Sequence, residues 1–531
     1  MNDSPVDCQN REWTEPQRDR CHGIAVTDEV LPEANRVGLL FQTLAIVLFL
    51  CYSLFIIFHE VTCMGKLTHL QPARVFHYFE EICGIPHGSG DTARISDYCV
   101  AFAKAHNLPY HQDALGNVII KKPATAGYEE HPAVILQGHI DMVCEKAPDC
   151  PIDFATDGLS VDTDGDIVFA HGSTLGGDNG IAVAMAFAIL ESTDLPHPPL
   201  EVLLTVDEET GMYGAEGFDP SLLEGKLLIN IDSEEEGVLT VSCAGGARAE
   251  LSLPLTYTRA ESAAYSVTVD GLQGGHSGIE IDKGRLNANI VLAQFLQSID
   301  CRLVNIDGGQ KDNAIPIYCQ AMIVSDVDVA AAATAFAAAH RVDGDPDLTI
   351  TVTPALADEA MDAASSAAAL TLLTTVPNGI QAMSADIDGL VQTSLNLGIL
   401  TTDENTLRAS FAVRSSVGAE KIALLAQMEQ LITSMGGSYT SYGHYPAWEY
   451  RKDSRLRDVM CAVWEQKYGT PPTVAAIHAG LECGLFCEKI HGLDAVSVGP
   501  NMWDVHTCRE RLSVASTARV YAYLCDVLKE L

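Results

Sequence analysis

The sequence is poor in basic residues and in aromatic residues. Lysine and arginine total 32 of 531 residues against 71 aspartates and glutamates, so the formal net charge is −39. Nucleic-acid binding needs clustered cations to neutralise phosphates, and since the sequence has no such cluster we expect no nucleic-acid partner. Aromatic residues make up only 7%, but hydrophobic residues reach 47%, which is typical of a folded α/β protein and not of a disordered one.

Closely spaced cysteines are also lacking. The 16 cysteines include no C-x-x-C pair, and many of them, such as Cys83, Cys99 and Cys319, stand within apolar segments. This pattern favours buried free thiols over disulfide bonds. Free thiols are typical of a reducing compartment, so we expect a cytoplasmic protein.

One uncharged hydrophobic run, Val37–Phe58, stands near the N-terminus. At 1.5 Å per residue its 22 residues span about 33 Å, enough to cross a hydrocarbon core of about 30 Å. The run therefore predicts a transmembrane helix and a membrane anchor, whose orientation the flanking cations do not set. Alternatively, the segment from Met64 resembles the natural start of a soluble enzyme, and residues 1–63 are then an N-terminal extension that the working protein lacks. Both interpretations stay open.

From about residue 70 the sequence alternates between helical and strand patterns. Helices are expected at Arg74–Cys83, Thr92–His106 and Ile181–Leu190, and the apolar run Ala133–Asp141 is typical of a buried parallel strand. The length predicts two or three domains. We predict an α/β domain with a mostly parallel central sheet, whose first part covers residues 64–245 and whose second part covers residues 444–531.

Near Gly245 the pattern changes to shorter alternating strands and Ala-rich helices. Helices are expected at Leu286–Ser298 and Glu420–Met435, and a similar order of elements occurs twice. We therefore predict an inserted α+β domain over residues 246–443, made of two related halves. The helices Ser454–Tyr468 and Ala518–Leu531 return the chain to the first domain.

Acidic residues follow two apolar runs within the stretch Leu204–Asp232. Glu208 and Glu209 come just after the first run, and Asp232 comes just after the second. Carboxylates at neighbouring strand ends repel one another, so a cluster of them indicates a bound cation. The C-terminal ends of strands are also where open α/β sheets build their sites.

Two further positions extend this cluster. His139 and Asp141 are two residues apart at a predicted strand end, so both side chains point the same way and the carboxylate can orient a metal-binding imidazole. Asp178 stands in a Gly-rich loop before a helix, where a single acid is commonly an N-cap. Taken together, four acids and a histidine after consecutive core elements, with His506 following a late strand, predict a site for two divalent cations.

Eight ordered motifs resemble those of the aminoacyl-histidine dipeptidases (Xaa-His or beta-alanyl-histidine dipeptidases), a branch of the two-metal zinc aminopeptidase and carboxypeptidase families. The resemblance covers Leu67–Leu531. The motifs are GHID, STLGGDNG, DEETG, INIDSEEEG, GLQGGHSG, NAIP, AIHAGLECG and VSVGPNMWDVH. The resemblance implies a zinc-peptidase fold in which residues 246–443 form a lid on the catalytic domain.

The resemblance also implies a metal role for five residues. Asp178 bridges two divalent ions, expected to be zinc, with cobalt or manganese as alternatives. His139 and Asp232 complete the site of one ion, and Glu209 and His506 complete the site of the other.

Three further roles concern catalysis. The resemblance implies that Glu208 is the general base, that Asp141 orients His139, and that the peptide bond after Asp178 is cis. His276 in the motif GGHSG is expected to donate to the oxyanion of the intermediate, although an ordinary loop histidine is the alternative.

Six further residues are predicted to bind the substrate. Arg414 stands in a predicted strand and needs an anionic partner, which is either the substrate carboxylate or an acid within the lid. The predicted substrate-binding residues are Asn289, Asn313, Arg414, His478, Gly480 and Glu482.

The implied activity is metal-dependent hydrolysis of dipeptides, Xaa-His substrates and beta-alanyl-histidine among them. An aminoacylase or an amino-acid carboxypeptidase on the same site is one alternative, and a non-catalytic scaffold is another. The expected partners are small dipeptides and a second copy in a homodimer. The membrane is a partner only if residues 37–58 form an anchor.

Overall fold

The structure is a computed structural model that describes residues 65–531. The candidate transmembrane helix Val37–Phe58 and the alternative start at Met64 lie outside the described residues. Among residues 65–531, no helix is both long enough and apolar enough to cross a membrane.

An eight-stranded sheet, called the first sheet, carries the residues of interest at one edge. Four of its seven neighbouring strand pairs are parallel and three are antiparallel. The sheet is therefore mixed, and the mostly parallel sheet predicted from the sequence is confirmed only in part. In spatial order the strands are Tyr110–Gln112, Val118–Lys122, Leu200–Thr205, Val134–His139, Leu227–Asn230, Asp494–Ser497, Val238–Cys243 and Thr473–Ile477.

The antiparallel edge of the first sheet has a local cause. Asp113 begins a tight turn in which its carboxylate accepts hydrogen bonds from the backbone N–H groups of Leu115, Gly116 and Asn117. A turn this short joins antiparallel strands, whereas parallel strands need a crossover of a dozen or more residues.

Helices cover both faces of the first sheet. Along one central strand, Val134 and Leu136 pack into one hydrophobic core and Ile135 packs into another, as the alternation of strand side chains requires. The first core contains Ala73–Cys83, Ala93–Ala105, Gly177–Glu191, Arg455–Tyr468 and Val514–Glu530, and the second contains Tyr213–Gly217 and Glu482–Lys489.

The helix Gly177–Glu191 is apolar on all sides and is buried along nearly its whole length. Phe187 stacks on Phe102, with ring centroids 3.8 Å apart. The assigned helix begins at Gly177, four residues before the predicted Ile181, but Asp178 and Asn179 have non-helical φ and ψ angles. Asp178 therefore lies in a kinked segment directly before the regular, buried part of the helix.

A second sheet uses strands from Gly245 to Tyr445 and has its own hydrophobic core. Its strands, in spatial order, are Thr349–Ala355, Ala263–Asp270, Cys319–Ser325, Arg302–Gly308, Val391–Asp403, Thr406–Ser415, Gly245–Pro254 and Ser438–Tyr445, with Gly379–Met383 beside Val391–Asp403. Its helices are Ala288–Gln297, Val329–His340, Ala363–Thr375 and Gly418–Ser434.

The second sheet divides into two sets of four strands and two helices. Each set follows the chain order strand, helix, strand, strand, helix, strand, and each has the same spatial strand order, 4-1-3-2. The first strand of the later set is Gly245–Pro254, which precedes the whole earlier set. The sequence pattern predicted that the second half begins after the first half ends. In the structure, the second half has one strand before the first half in the sequence and its other elements after it.

Small elements complete the described fold. A four-stranded sheet contains, in spatial order, Met502–Trp503, Arg511–Ser513, Ile167–Ala170 and Val161–Asp164. Two-stranded sheets pair Tyr257–Arg259 with Glu359–Met361 and Gly275–His276 with Ala314–Ile315, and short 3-10 helices cover Pro220–Leu222 and Ile281–Lys283. The twelve cysteines of residues 65–531 are free thiols, as the sequence predicted.

Candidate metal centre

The ends of three adjacent parallel strands meet at one edge of the first sheet. His139 is the last residue of Val134–His139, Glu208 and Glu209 follow Leu200–Thr205, and Asp232 follows Leu227–Asn230. The structure therefore brings these side chains together where the sequence predicted them to meet.

Asp178 lies between two histidines. Its Oδ1 atom is 3.2 Å from His139 Nε2, and its Oδ2 atom is 3.1 Å from His506 Nε2. The same nitrogen of each histidine faces a second carboxylate, because Asp232 Oδ1 is 3.5 Å from His139 Nε2 and Glu209 Oε1 is 3.0 Å from His506 Nε2. The carboxylate of Asp178 thus presents one oxygen to each half of the site.

Two sets of ligand atoms can each hold an ion. We call His139, Asp178 and Asp232 the His139 group, and Asp178, Glu209 and His506 the His506 group. In each, one ligand atom from every residue lies within 4.8 Å of the others. Imidazole nitrogen and carboxylate oxygen are the donors that zinc, cobalt and manganese accept, so the donor set fits two divalent cations that share Asp178. Glu208 forms a third such set with His139 and Glu209.

Two carboxyl groups of the site, those of Asp232 and Glu208, have raised pKa values. Burial raises the pKa of Asp232 to about 6, and the charges of Asp178 and Glu209 add to the shift against the opposing effect of His139. Burial likewise raises the pKa of Glu208 well above its ordinary value. A divalent cation among these groups would favour their charged forms and so relieve the repulsion between them.

Asp141 positions residues on two strands. Its backbone oxygen is 3.0 Å and its carboxylate 3.3 Å from His139 Nδ1, a geometry compatible with the orienting role that stays a prediction. The same carboxylate accepts hydrogen bonds from the backbone N–H groups of Glu208 and Glu209 and from the hydroxyl of Ser89. Ser89 was not predicted from the sequence. Its one local signal is its position in the loop PHGSG at residues 86–90.

Asn179 fastens the Asp178 loop to the first sheet. The peptide bond between Asp178 and Asn179 is cis, as the family resemblance implied. The fully buried Asn179 accepts a hydrogen bond from His139 N at 3.2 Å and donates one to Ile231 O at 2.7 Å. One amide side chain therefore connects the segments that carry His139, Asp178 and Asp232, a role that sequence reasoning missed.

A second polar cluster surrounds Arg414, which is only 6% exposed. The guanidinium donates to the hydroxyl of Tyr445 at 3.1 Å, while its Nε atom has no hydrogen-bond partner. Within residues 65–531 Arg414 forms no ion pair, so the alternative of a carboxylate partner inside the lid is wrong. Burying a charge without a partner is costly, so this guanidinium has the capacity to pair with an anionic group.

Two histidines stand beside Arg414. His478 Nε2 is 2.7 Å from the hydroxyl of Ser394, its Nδ1 has no partner, and burial together with the charges of Arg414 and His276 lowers its pKa to about 4. His276 Nδ1 accepts hydrogen bonds from two backbone N–H groups, so the proton of the neutral ring is on Nε2. Burial and then Arg414 lower the pKa of His276 as well.

The other predicted site residues lie in different surroundings. Asn289 and Glu482 are fully buried: Asn289 donates to Leu397 O, and Glu482 accepts hydrogen bonds from Gln137 and Thr205 behind the site. Both side chains are buried in this conformation, and their predicted substrate contacts stay predictions. Asn313 is half-buried. A Cβ atom on Gly480 would lie 2.8 Å from the Tyr445 ring, so only glycine allows this approach.

Across the described part of the chain, the hydrogen bonds of the His276 ring and backbone amide involve Gly278, Ile279 and Glu280, and none involves a residue of the metal centre. The predicted oxyanion role of His276 therefore stays a prediction.

Comparison with known proteins identifies the family. The model of "Peptidase family M20/M25/M40" matches residues 135–530. The chain belongs to this peptidase family. It is accordingly a metallopeptidase, which confirms the hydrolytic enzyme predicted from the motifs.

Two relatives match this M20 peptidase over most of its length. The cytosol non-specific dipeptidase of Escherichia coli strain K12 is 35% identical over an alignment of 482 residues, which covers 88% of this chain and 99% of the relative. The crystal structure of aminoacylhistidine dipeptidase from Vibrio alginolyticus is 34% identical, with a TM-score of 0.84 over 88% of this chain and 98% of that chain. Aminopeptidase PepT from Bacillus cereus, 15% identical with a TM-score of 0.51 over 87% and 99%, shares the fold.

Proposed function

We propose that this peptidase hydrolyses dipeptides, with Xaa-His dipeptides such as beta-alanyl-histidine among its substrates. The observation that carries the proposal is the position of Asp178, which presents one oxygen to each of two histidine-carboxylate groups. Such a shared carboxylate suits two divalent ions, and zinc is the one that the donor set and the family resemblance favour. The names of the two closely similar relatives, both dipeptidases, support the substrate class.

The proposed chemistry gives Glu208 the role of proton carrier. When bound, the ions lower the pKa of water towards neutrality and polarise the substrate carbonyl. Glu208 takes one proton from the attacking water as the new carbon–oxygen bond forms. It then returns that proton to the amine nitrogen as the carbon–nitrogen bond breaks. Asp141 supports this step because its carboxylate holds the backbone N–H group of Glu208 at 3.0 Å.

The Arg414 cluster is proposed to bind the C-terminal carboxylate of the dipeptide. The segment from His478 to Glu482 supports this arrangement, because His478 borders Arg414 and Glu482 is anchored behind the metal centre. A dipeptide that contacts both the Arg414 cluster and the metal centre would therefore lie along this short segment. His276, with its proton on Nε2, is the proposed oxyanion donor.

We further propose that residues 246–443 form a lid made of two related halves, with catalytic-domain parts at 64–245 and 444–531. The separate core of the second sheet and the shared strand order of its halves support this division. The free thiols support a cytoplasmic location, while the anchor at residues 37–58 and the homodimer stay predictions.

The proposal is tested with a panel of substrates and metals. Metal-free enzyme beginning at Met64 is assayed with Xaa-His dipeptides, matched Xaa-Ala dipeptides and N-acetyl-histidine, each with zinc, cobalt or manganese. We expect hydrolysis of the dipeptides to require added metal. Faster hydrolysis of N-acetyl-histidine than of any dipeptide would replace the proposal with an aminoacylase, and full activity in the presence of a strong chelator would contradict the metal dependence.

A further inference from the structure

Glu510 is a buried carboxylate that binds the loop before Asp178. The residue is 3% exposed. Its two oxygens accept hydrogen bonds from four consecutive backbone N–H groups, those of Leu175 (2.7 Å), Gly176 (3.1 Å), Gly177 (2.8 Å) and Asp178 (3.2 Å). The four amides converge because Gly176 has a left-handed φ of 66°, which turns successive N–H groups to one side.

The chain around Glu510 also carries His506. Met502–Trp503 pairs with Arg511–Leu512 as a hairpin, and His506 lies in its loop. Within the loop, Glu510 N donates to Thr507 O at 3.1 Å, and the Thr507 hydroxyl donates to the carbonyl of Asp504 at 2.7 Å. Glu510 and His506 therefore belong to one internally bonded segment.

This segment and the Asp178 loop are more than 300 residues apart in the sequence, yet Asp178 Oδ2 and His506 Nε2 are 3.1 Å apart. We propose that Glu510 is a positioning residue that holds the Asp178 loop against the His506 hairpin and so builds the ion site of the His506 group. This inference rests on the proposed two-ion function.

The structure also explains why one ion should depend on Glu510 more than the other. Asn179 fastens Asp178 to the strands of His139 and Asp232 without any contribution from the His506 hairpin. Loss of the Glu510 carboxylate removes charge-assisted bonds on the hairpin side only. The His139 group keeps its own connection, so its ion affinity should change little.

The test uses Glu510→Gln, which keeps the side-chain size and removes the negative charge. Since an amide has one acceptor oxygen and an NH2 group, at least one pair of backbone N–H groups loses its acceptor. Metal-free protein is titrated with cobalt, and binding is followed by visible absorption and by metal analysis after gel filtration. We expect two ions in the natural protein, and in Glu510→Gln a first ion of nearly natural affinity and a second weakened about 10–100-fold.

The matched control is Glu201→Gln. Glu201 is equally buried, at 3%, and accepts backbone hydrogen bonds from Glu224 and Gly225 at the other end of a first-sheet strand. The Glu201→Gln variant should bind both ions with the affinities of the natural protein. Gly177→Ala is a second variant in case Glu510→Gln fails to fold, because its Cβ atom would lie 3.1 Å from Glu510 Oε1 and displace the carboxylate.

Three outcomes decide the matter. Two ions of natural affinity in both Glu510→Gln and Gly177→Ala would overturn the role of Glu510 and leave the proposed function intact. Equal weakening of both ions, or the same loss in Glu201→Gln, would show a general structural effect and also overturn it. Fewer than two ions in the natural protein would overturn the proposed function itself, together with this inference.

Discussion

Glu208→Gln is expected to lower kcat about 10²–10⁴-fold while the protein keeps both metal ions, because the amide retains the shape of the side chain but cannot accept a proton. The measurements are kcat on an Xaa-His dipeptide and metal content by elemental analysis of the same sample. Unchanged thermal unfolding would show that the loss is chemical. A variant that keeps activity within tenfold would remove Glu208 from the proton-carrying role.

Glu209→Gln is the matched control, since the two glutamates are adjacent and both have backbone N–H groups bonded to Asp141. Only Glu209 contacts His506, at 3.0 Å, so we expect this variant to lose affinity for one ion. Glu208 also belongs to a candidate ligand set with His139 and Glu209. Both variants are therefore needed to decide which glutamate is the general base and which binds an ion. Loss of metal in Glu208→Gln and its retention in Glu209→Gln would exchange the two assignments.

Arg414→Ala is expected to reduce kcat/KM for dipeptides roughly 30-fold to several thousand-fold. This range corresponds to about 2–5 kcal/mol, the usual consequence of removing one member of a buried, hydrogen-bonded charge pair. The decisive measurement compares each dipeptide with its C-terminal amide. The natural enzyme should strongly prefer the free carboxylate, and the variant should lose this preference.

Arg408→Ala is the control for that experiment. Arg408 is on the same strand, Thr406–Ser415, but its side chain is 44% exposed and pairs with Glu250. It should leave both the activity and the preference for carboxylate unchanged. If Arg414→Ala keeps the natural preference for carboxylate over amide, the substrate carboxylate binds elsewhere.

The metal centre could be predicted because its signals are local. His139 ends an apolar strand, and Glu208 and Asp232 come shortly after two other apolar strands, so strand patterning alone places them at one edge of a sheet. The resemblance to a known family then gave each position a distinct role. Asp178 and His506 came from motifs in loops, and their meeting across more than 300 residues is visible only in the structure.

The residues that hold the centre together could not be predicted in this way. Glu510 stands in the sequence Arg-Glu-Arg, which is typical of a solvated surface, yet it is buried under four backbone amides of a distant loop. The hydrogen bonds of Glu482 with Gln137 and Thr205 could not be predicted either, since its motif beside His478 indicated only a substrate contact, which stays a prediction. Both roles depend on tertiary contacts that no local pattern encodes.

The strand Gly245–Pro254 has a local signal in the sequence. Apolar and polar residues alternate from Ala247 to Leu253, and the buried positions follow that alternation. Its partners could not be inferred, because both neighbours, Thr406–Ser415 and Ser438–Tyr445, come after the complete first half.

That arrangement has a consequence for synthesis on the ribosome. Gly245–Pro254 is made about 150 residues before Thr406–Ser415, a delay of roughly 8–30 s at 5–20 residues per second. During this interval the contiguous earlier half, from Ala263 to Ala355, can pair its own strands, while Gly245–Pro254 has neither of its neighbours. A nascent chain stalled within this window would present an unpaired, alternating strand, whose free backbone N–H and C=O groups are open to pairing with another chain.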